Sequence, residues 1–283
     1  MAITNFRPEV WRANLLQALE QEYIYASPAL TNRDFEGDVA EAGDTVHITS
    51  VVRPTIRDYT EHGTITWEEL DDEPLTVTIE QADYFAFKVD DIERRQSLPG
   101  FVEEATREAG IGMTVEVDEY VSSVMVDGVD GTSNDIGAFT VDISDNTGWG
   151  LMIALRSKLN LAGVPRDGRW VVIPDAVAAA ILQDPRFVDA SQAGDSNALR
   201  SGELGRIAGF TVYESNTVPQ PTANVYHVLA GHRMATTFID QINKVETLRL
   251  QDMFGDGVRG LHLYDAAVIR PEALALASVT VQA

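Results

Sequence analysis

Residues 75–91 read LTVTIEQADYFAFKVDD, and the apolar side chains Leu75, Val77, Ile79, Phe85, Phe87 and Val89 all fall on odd positions. That period of two marks a strand with one dry face. Unbroken, residues 75–89 would extend roughly 50 Å at about 3.3 Å per residue, where an ordinary strand has about 5 to 6 residues. Upstream, TVHITSVVRPTI (residues 45–56) is rich in β-branched side chains, and RDYTEHGTITWEELDDEP separates the two stretches with Gly63 and Pro74 as punctuation. The simplest reading is one long β-hairpin with an irregular tip. A ribbon of that length outruns its own domain, so its apolar face needs cover from elsewhere.

Charge narrows the choice of cover. The chain of 283 residues holds 21 Lys and Arg against 44 Asp and Glu, a formal net charge of −23, and its lysines are Lys88, Lys158 and Lys244. Such a surface repels a phosphate backbone, which argues against reading or coating DNA. The hairpin is more one-sided still. Between Arg57 and Lys88 there is no Lys or Arg, while Asp58, Glu61, Glu68, Glu69, Asp71, Asp72, Glu73, Glu80 and Asp83 are acidic. Two readings fit: a solvated loop whose strand edges are guarded by charge, or a single-sign arm that docks on a basic patch of another subunit.

With 45% hydrophobic and 23% charged residues, the chain as a whole has the composition of a soluble globular protein able to bury one core or two modest ones. No stretch approaches the roughly 18 apolar residues of a membrane span, and MAITNFRPEVW lacks the basic and apolar regions of a signal peptide. We expect no membrane partner. Without cysteine there are no disulfides, thiolate nucleophiles, zinc–thiolate sites or iron–sulfur clusters, which suits a reducing cytosol.

Along the chain, PEVWRANLLQALEQEYIYA has helical spacing at Val10, Leu15, Leu16, Leu19 and Ile24, with Pro8 in the first turn. A long helix is expected from Phe101 to Val126. Its stripe is Phe101, Ala105, Ala109, Met113, Val117, Val121 and Val124, with Ser97 as N-cap and Pro99 in the first turn. Gly110 and Gly112 weaken it in isolation, so packing on a sheet must hold it. Residues 127–148 read as a loop and the clearest internal boundary. Beyond them WGLMIALRSKLNLAG is a helix closed by Gly163. RWVVIP is a buried strand, and DAVAAAILQDP is a helix capped by Asp175 and stopped before Pro185. GFTVYESNTVP, VYHVLAGH and the stretch from VETLRLQ to ALASVTV are strands. The class is α+β.

Sites for chemistry are scarce. His47, His62, His227, His232 and His262 stand singly, and none forms an HExxH motif. Neither a phosphate-binding glycine loop nor a nucleophile elbow occurs. Asp127, Asp130, Asp135, Asp142 and Asp145 cluster without the spacing of a calcium loop. A carboxylate pair of the glycosidase kind stays open, because separation in space cannot be read from sequence.

The order of parts carries more. FRPEVWRANLLQALEQ at the start, GDTVHI opening the hairpin, YFAFKVDDIERRQ closing it, RWVVIPDAVAAAILQDPRF in the mixed region and AAVIRPEALA near the end together resemble the major capsid proteins of tailed bacteriophages, of the Hong Kong 97 type fold. The resemblance implies an N-terminal arm over 1–43, an extended β-hairpin loop over 44–91 and a peripheral domain with a spine helix over 92–135. An axial domain over 136–236 and a β-rich C-terminal return over 237–283 follow. It implies a purely structural protein, without cofactor, metal or catalytic residue. Protomers would form pentamers and hexamers of an icosahedral shell in the virion, assembled in the bacterial host cytoplasm. The shell would enclose DNA without binding it specifically. Portal and decoration proteins, and a separate scaffolding protein, are the implied partners. On this resemblance the hairpin acids Glu68, Glu69, Asp71, Asp72 and Glu73 are expected to meet Arg94, Arg95 or Arg107 of an adjacent protomer. No lysine lies between Arg57 and Lys88, so the lysine–asparagine cross-link of some members is not expected. Rival readings are an encapsulin-like shell of the same fold, a tail-tube protein, and an acidic soluble hydrolase.

Overall fold

The computed structural model describes residues 23–34, 45–51, 55–58, 67, 72–90, 101–142, 147–183, 205–250 and 254–282, with backbone alone at 45–51, 72–74, 90, 101–104 and 241–245. Strands β1 (Thr45–Val51) and β2 (Asp72–Thr78) form the expected antiparallel ribbon, Thr45 opposite Thr78 and Val51 opposite Asp72. The run from 75 to 89, however, is two strands. β2 ends at Thr78, and β3 (Gln81–Asp90) pairs antiparallel with β10 (Gly255–Val268), Gln81 opposite Tyr264 and Asp90 opposite Gly255. β9 (Thr236–Arg249) lies on the other edge of β10, giving a three-stranded sheet ordered β3-β10-β9.

The physical reason is that alternation records which face is dry and not which strand is the neighbour. Val77, Ile79 and Val89 are buried, and Phe85 and Phe87 pack half-buried on the core, so the odd face stays inward across the break. The chain thus covers most of that face itself. Only the ribbon end stays open, with Leu75 36% exposed.

Helix α1 (Phe101–Asp127) is the expected long helix, and it packs on β10 and β3. Met113, Val117 and Val121 are buried as their spacing predicts; at the C-terminal end the buried stripe passes through Met125, with Val124 only partly covered. A second, polar row made of Thr106, Thr114, Asp118 and Ser122 is buried beside it. Thr114 returns its hydroxyl to the Gly110 carbonyl at 3.0 Å, so that row satisfies part of its polarity within the helix. Under the helix Gly260 faces Phe85 across β10 and β3, and a Cβ there would overlap the phenyl ring.

The second sheet has six strands, ordered β4-β11-β8-β5-β7-β6: β4 (Asp135–Asp142), β11 (Leu274–Gln282), β8 (Val225–His232), β5 (Arg169–Ile173), β7 (Phe210–Glu214) and β6 (Arg206–Ile207). β4 corrects the loop expected over 127–148. It pairs parallel with β11, Phe139 opposite Val279, a contact from the far end of the chain that no local pattern announces. Helix α2 (Gly148–Leu161) is closed by Gly163 at φ +71°, as expected. Helix α3 (Asp175–Leu182) takes Pro174 as N-cap, with Asp175 already in its first turn rather than capping it. Leu151, Met152, Leu155 and Leu159 of α2 and Val177 and Ile181 of α3 join Trp170, Val171, Val172 and Ile173 of β5 in one core.

The helix expected over residues 8–26 lies outside the described residues up to 22, and from 23 on the chain runs through turns instead. Ser97 and Pro99 also lie outside them.

Gly112 sits in the interior of α1 with open space where a Cβ would go. Gly112→Ala is therefore expected to raise unfolding stability by about 0.5–1 kcal/mol, read from denaturant midpoints.

Candidate intersubunit site

The ribbon β1–β2 is a two-stranded sheet of its own, and such a sheet is marginal in water without a covering layer. On the stretch joining its strands Ile56 is 93% and Trp67 89% exposed. Both are large apolar side chains left open to solvent, in a stretch whose sequence is rich in acids.

Its root is held firmly. Val77 and Ile79 bury with Ile239 and Leu263 in a small cluster of their own. At the break between β2 and β3 the Asp265 carboxylate accepts the Glu80 N–H at 3.1 Å, the Ala266 N–H at 2.7 Å and the Tyr120 hydroxyl at 2.8 Å. Tyr264 donates to Asp83 at 2.5 Å, and its ring meets that of Tyr120 edge to face at 5.5 Å. Burial, followed by the hydrogen bond to Asp265, pushes the Tyr120 phenol up to about 12, and burial raises Tyr264 as well. Both hydroxyls therefore stay protonated donors at neutral pH. Beneath them His262 Nε2 lies 2.6 Å from Asp240 Oδ1, with the imidazole fully buried.

The segment 23–34 is pinned to the same region. Asp118, on the polar row of α1, accepts the Ile24 N–H at 2.7 Å and the Ala26 N–H at 3.0 Å. Burial raises the Asp118 pKa, and the backbone donors of Ala26, Ile24 and Tyr25 pull it back only in part. Further on, Asn32 exchanges backbone hydrogen bonds with Thr236 and Phe238, both at 2.9 Å. The Arg33 guanidinium lies 5.8 Å over Tyr23 and 5.2 Å over Phe238.

Of the residues expected at an intersubunit contact, Asp72 and Glu73 occupy the distal end of β2, opposite Val51 and Ser50. Arg107 is on α1, 3.6 Å from Glu108, both largely exposed. Glu68, Glu69, Asp71, Arg94 and Arg95 lie outside the described residues. The acids Asp130 and Asp135, weighed as calcium ligands, accept the Thr132 N–H at 3.0 Å and the Gly137 N–H at 2.8 Å, which makes them turn-formers. Sequence reasoning missed Asp118, Asp240 and Asp265. The one available signal was a carboxylate on the core-facing side of a helical stripe, beside Val117 and Val121.

The model for phage capsid proteins matches residues 72–277. The chain belongs to the phage capsid protein family. Among solved structures it is similar to that of Mycobacterium phage Che8, at 29% identity over 90% of this chain and 91% of that one with a TM-score of 0.74. It is similar also to the capsid of cyanophage P-SCSP1u, at 14% identity over 86% and 85% with a TM-score of 0.69. The encapsulin of the holo-SrpI complex from Synechococcus elongatus shares the fold at 12% identity over 85% and 84%, TM-score 0.56. No curated protein matches the chain by sequence. The fold of this capsid protein is the Hong Kong 97 type.

Asp118→Asn leaves one acceptor oxygen where the backbone donors of residues 24–26 converge, and is expected to lower stability by about 1–3 kcal/mol. Because the folded pKa is raised, the native state holds its proton longer than the unfolded one. Asp118 therefore loses stabilising effect as pH rises from the ordinary carboxylate range through its folded pKa, and is constant above. Paired denaturant titrations should show the gap between wild type and Asp118→Asn narrowing across that rise.

Proposed function

We propose that the chain is the major capsid protein of a tailed bacteriophage, with protomers forming pentamers and hexamers of an icosahedral shell around the genome. The observation that carries this reading, beyond the family match, is the β1–β2 ribbon. It is a lone pair of strands, anchored at its root through Asp265 and Asp83, with Ile56 and Trp67 exposed beyond it. Lying across an adjacent protomer would cover those side chains and add to a contact that, in an ordinary stable complex, buries about 1,600 Å². Each protomer lends its ribbon to the next, and such heterologous contacts close into rings.

In this reading 44–91 is the extended loop, made of the β1–β2 ribbon and of β3, which returns it to the first sheet; 1–43 is the arm and 92–135 the peripheral domain with α1 as spine. Residues 136–236 are the axial domain, and 237–283 return through β9 and β10 to the first sheet and through β11 to the second. Glu68, Glu69, Asp71, Asp72 and Glu73 pair with Arg94, Arg95 or Arg107 of a neighbour. The net charge of −23 keeps an inner wall from adhering to packaged DNA. The protein is a virion component, assembled in the host cytoplasm with portal and scaffolding proteins, and has no catalytic role. The encapsulin-like reading shares the fold, and the contents of the particle, genome or cargo enzyme, separate the two.

Purified protein should sediment as megadalton particles, or as capsomer rings convertible to them, and appear as shells by electron microscopy. A product that stays monomeric across salt and concentration would end this reading. Trp67→Glu with Ile56→Glu should abolish particles while leaving the melting temperature of the protomer unchanged. Arg94→Glu with Arg95→Glu should cut particle yield in the same way, and an unchanged yield would rule out that pairing.

A further inference from the structure

The chain is short of positive charge, yet it gathers several of its bases at one end of the six-stranded sheet. Arg169 opens β5 directly opposite His232, the last residue of β8. Gly168, before it, lies so close that a Cβ would come within 3.3 Å of His232 Nε2. Arg233 follows His232, and Arg166 sits in the loop between α2 and β5. Arg156 is one helical turn before Asn160, whose side chain accepts from Arg169 at 3.0 Å, so Arg156 shares that face of α2.

Arg169 itself is buried, and its guanidinium bonds are all to neutral acceptors: the Pro165 carbonyl at 2.8 Å, the Val164 carbonyl at 2.6 Å and Asn160. Burial lowers its pKa, and Arg156 and Arg166 push the same way. Burial lowers His232 too, and Arg169 and Arg233 add to it against Asp167. The one acid of that loop, Asp167, is fully exposed and reaches outward to Arg206 at 3.6 Å. The carbonyl end of α2 offsets part of the buried charge. Arg166 and Arg233 remain exposed.

A buried cation with neutral partners, flanked by exposed arginines, attracts an anion from outside. With 44 acids against 21 bases, the anion that assembly brings in fixed proportion is a carboxylate of another copy.

We propose that Arg156, Arg166, Arg169 and Arg233 form an intersubunit acceptor for a carboxylate-bearing face of a second copy of this chain, with Arg169 positioning the loop and the other three making the contact. This rests on the shell reading above and names one of its contacts. Like-charged protomers would otherwise repel, and the patch turns part of that repulsion into directed attraction.

The test uses the full chain. Arg166→Lys with Arg233→Lys keeps the charge and supplies amines for zero-length carbodiimide coupling to carboxylates, in particles assembled from a mixture of isotope-labelled and unlabelled copies. Mixed-isotope cross-links from position 166 or 233 to an Asp or Glu are expected. In parallel, Arg156→Glu, Arg166→Glu and Arg233→Glu together should abolish particles while the far-ultraviolet dichroism and melting temperature of the protomer stay those of wild type. Wild-type particles with an unaltered triple variant, or with cross-links only within one copy, would overturn the patch and leave the shell reading intact. Wild type that never assembles would overturn both. Binding of double-stranded DNA by wild type at physiological salt, lost in the triple variant, would reassign the patch to nucleic acid and overturn the proposal.

Discussion

Strand β10 is the member on which the other parts of the first sheet depend. It pairs along one edge with β3 and along the other with β9, and α1 lies across it. Its residues His262, Tyr264 and Asp265 make the polar contacts that fix β9, β3 and the Tyr120 turn of α1 in turn. A β-strand can serve two neighbours because its N–H and C=O groups point both ways, and its two faces remain free for a helix and for solvent. Remove β10, and the ribbon, the long helix and the N-terminal segment have nothing in common to rest upon.

That arrangement explains how a protein can extend a thin ribbon without losing it to fraying. The root at residues 77–83 is tied by an apolar cluster and by two carboxylates, Asp83 and Asp265, that accept from partly covered phenols and backbone amides. Buried hydrogen bonds of this kind fix direction more than they add stability, because their gain over water is modest and the cost of leaving a partner unsatisfied is large. The ribbon is therefore tied to the body at its root through β3, β9 and β10. In the proposed shell, where each protomer lends its ribbon to a neighbour, the way the root is held would decide which surface of that neighbour the ribbon meets.

How much of this could be read along the chain depended on the range of the interaction. The dry face of residues 75–89 was legible, since period two is a local property, as was the stripe Met113, Val117, Val121 at period 3.6. The exchange of partner at Glu80 was not, because it depends on Asp265, far along the chain. β4 looked like loop for the same reason: its partner β11 is the last strand. Asp118 read as one more acid among many. Only the folded chain brings the amides of Ile24 and Ala26 to it. The arginines of the second sheet were invisible as a group, since α2, the loop before β5 and the end of β8 meet only in space.

The sequence by itself determined the α+β class, the acidic surface, the long helix, the two-strand ribbon and the order of parts that resembles a phage capsid protein. Those features are set by short-range periodicity and by composition, which act before any tertiary contact exists. Tertiary structure alone decided that β3 leaves β2's ribbon for β10. It also decided that three scattered aspartates become the clasps of the N-terminal segment and the ribbon root, and that four arginines share one corner. Each of those outcomes needs residues tens to hundreds of positions apart to desolvate together, and no local pattern encodes that.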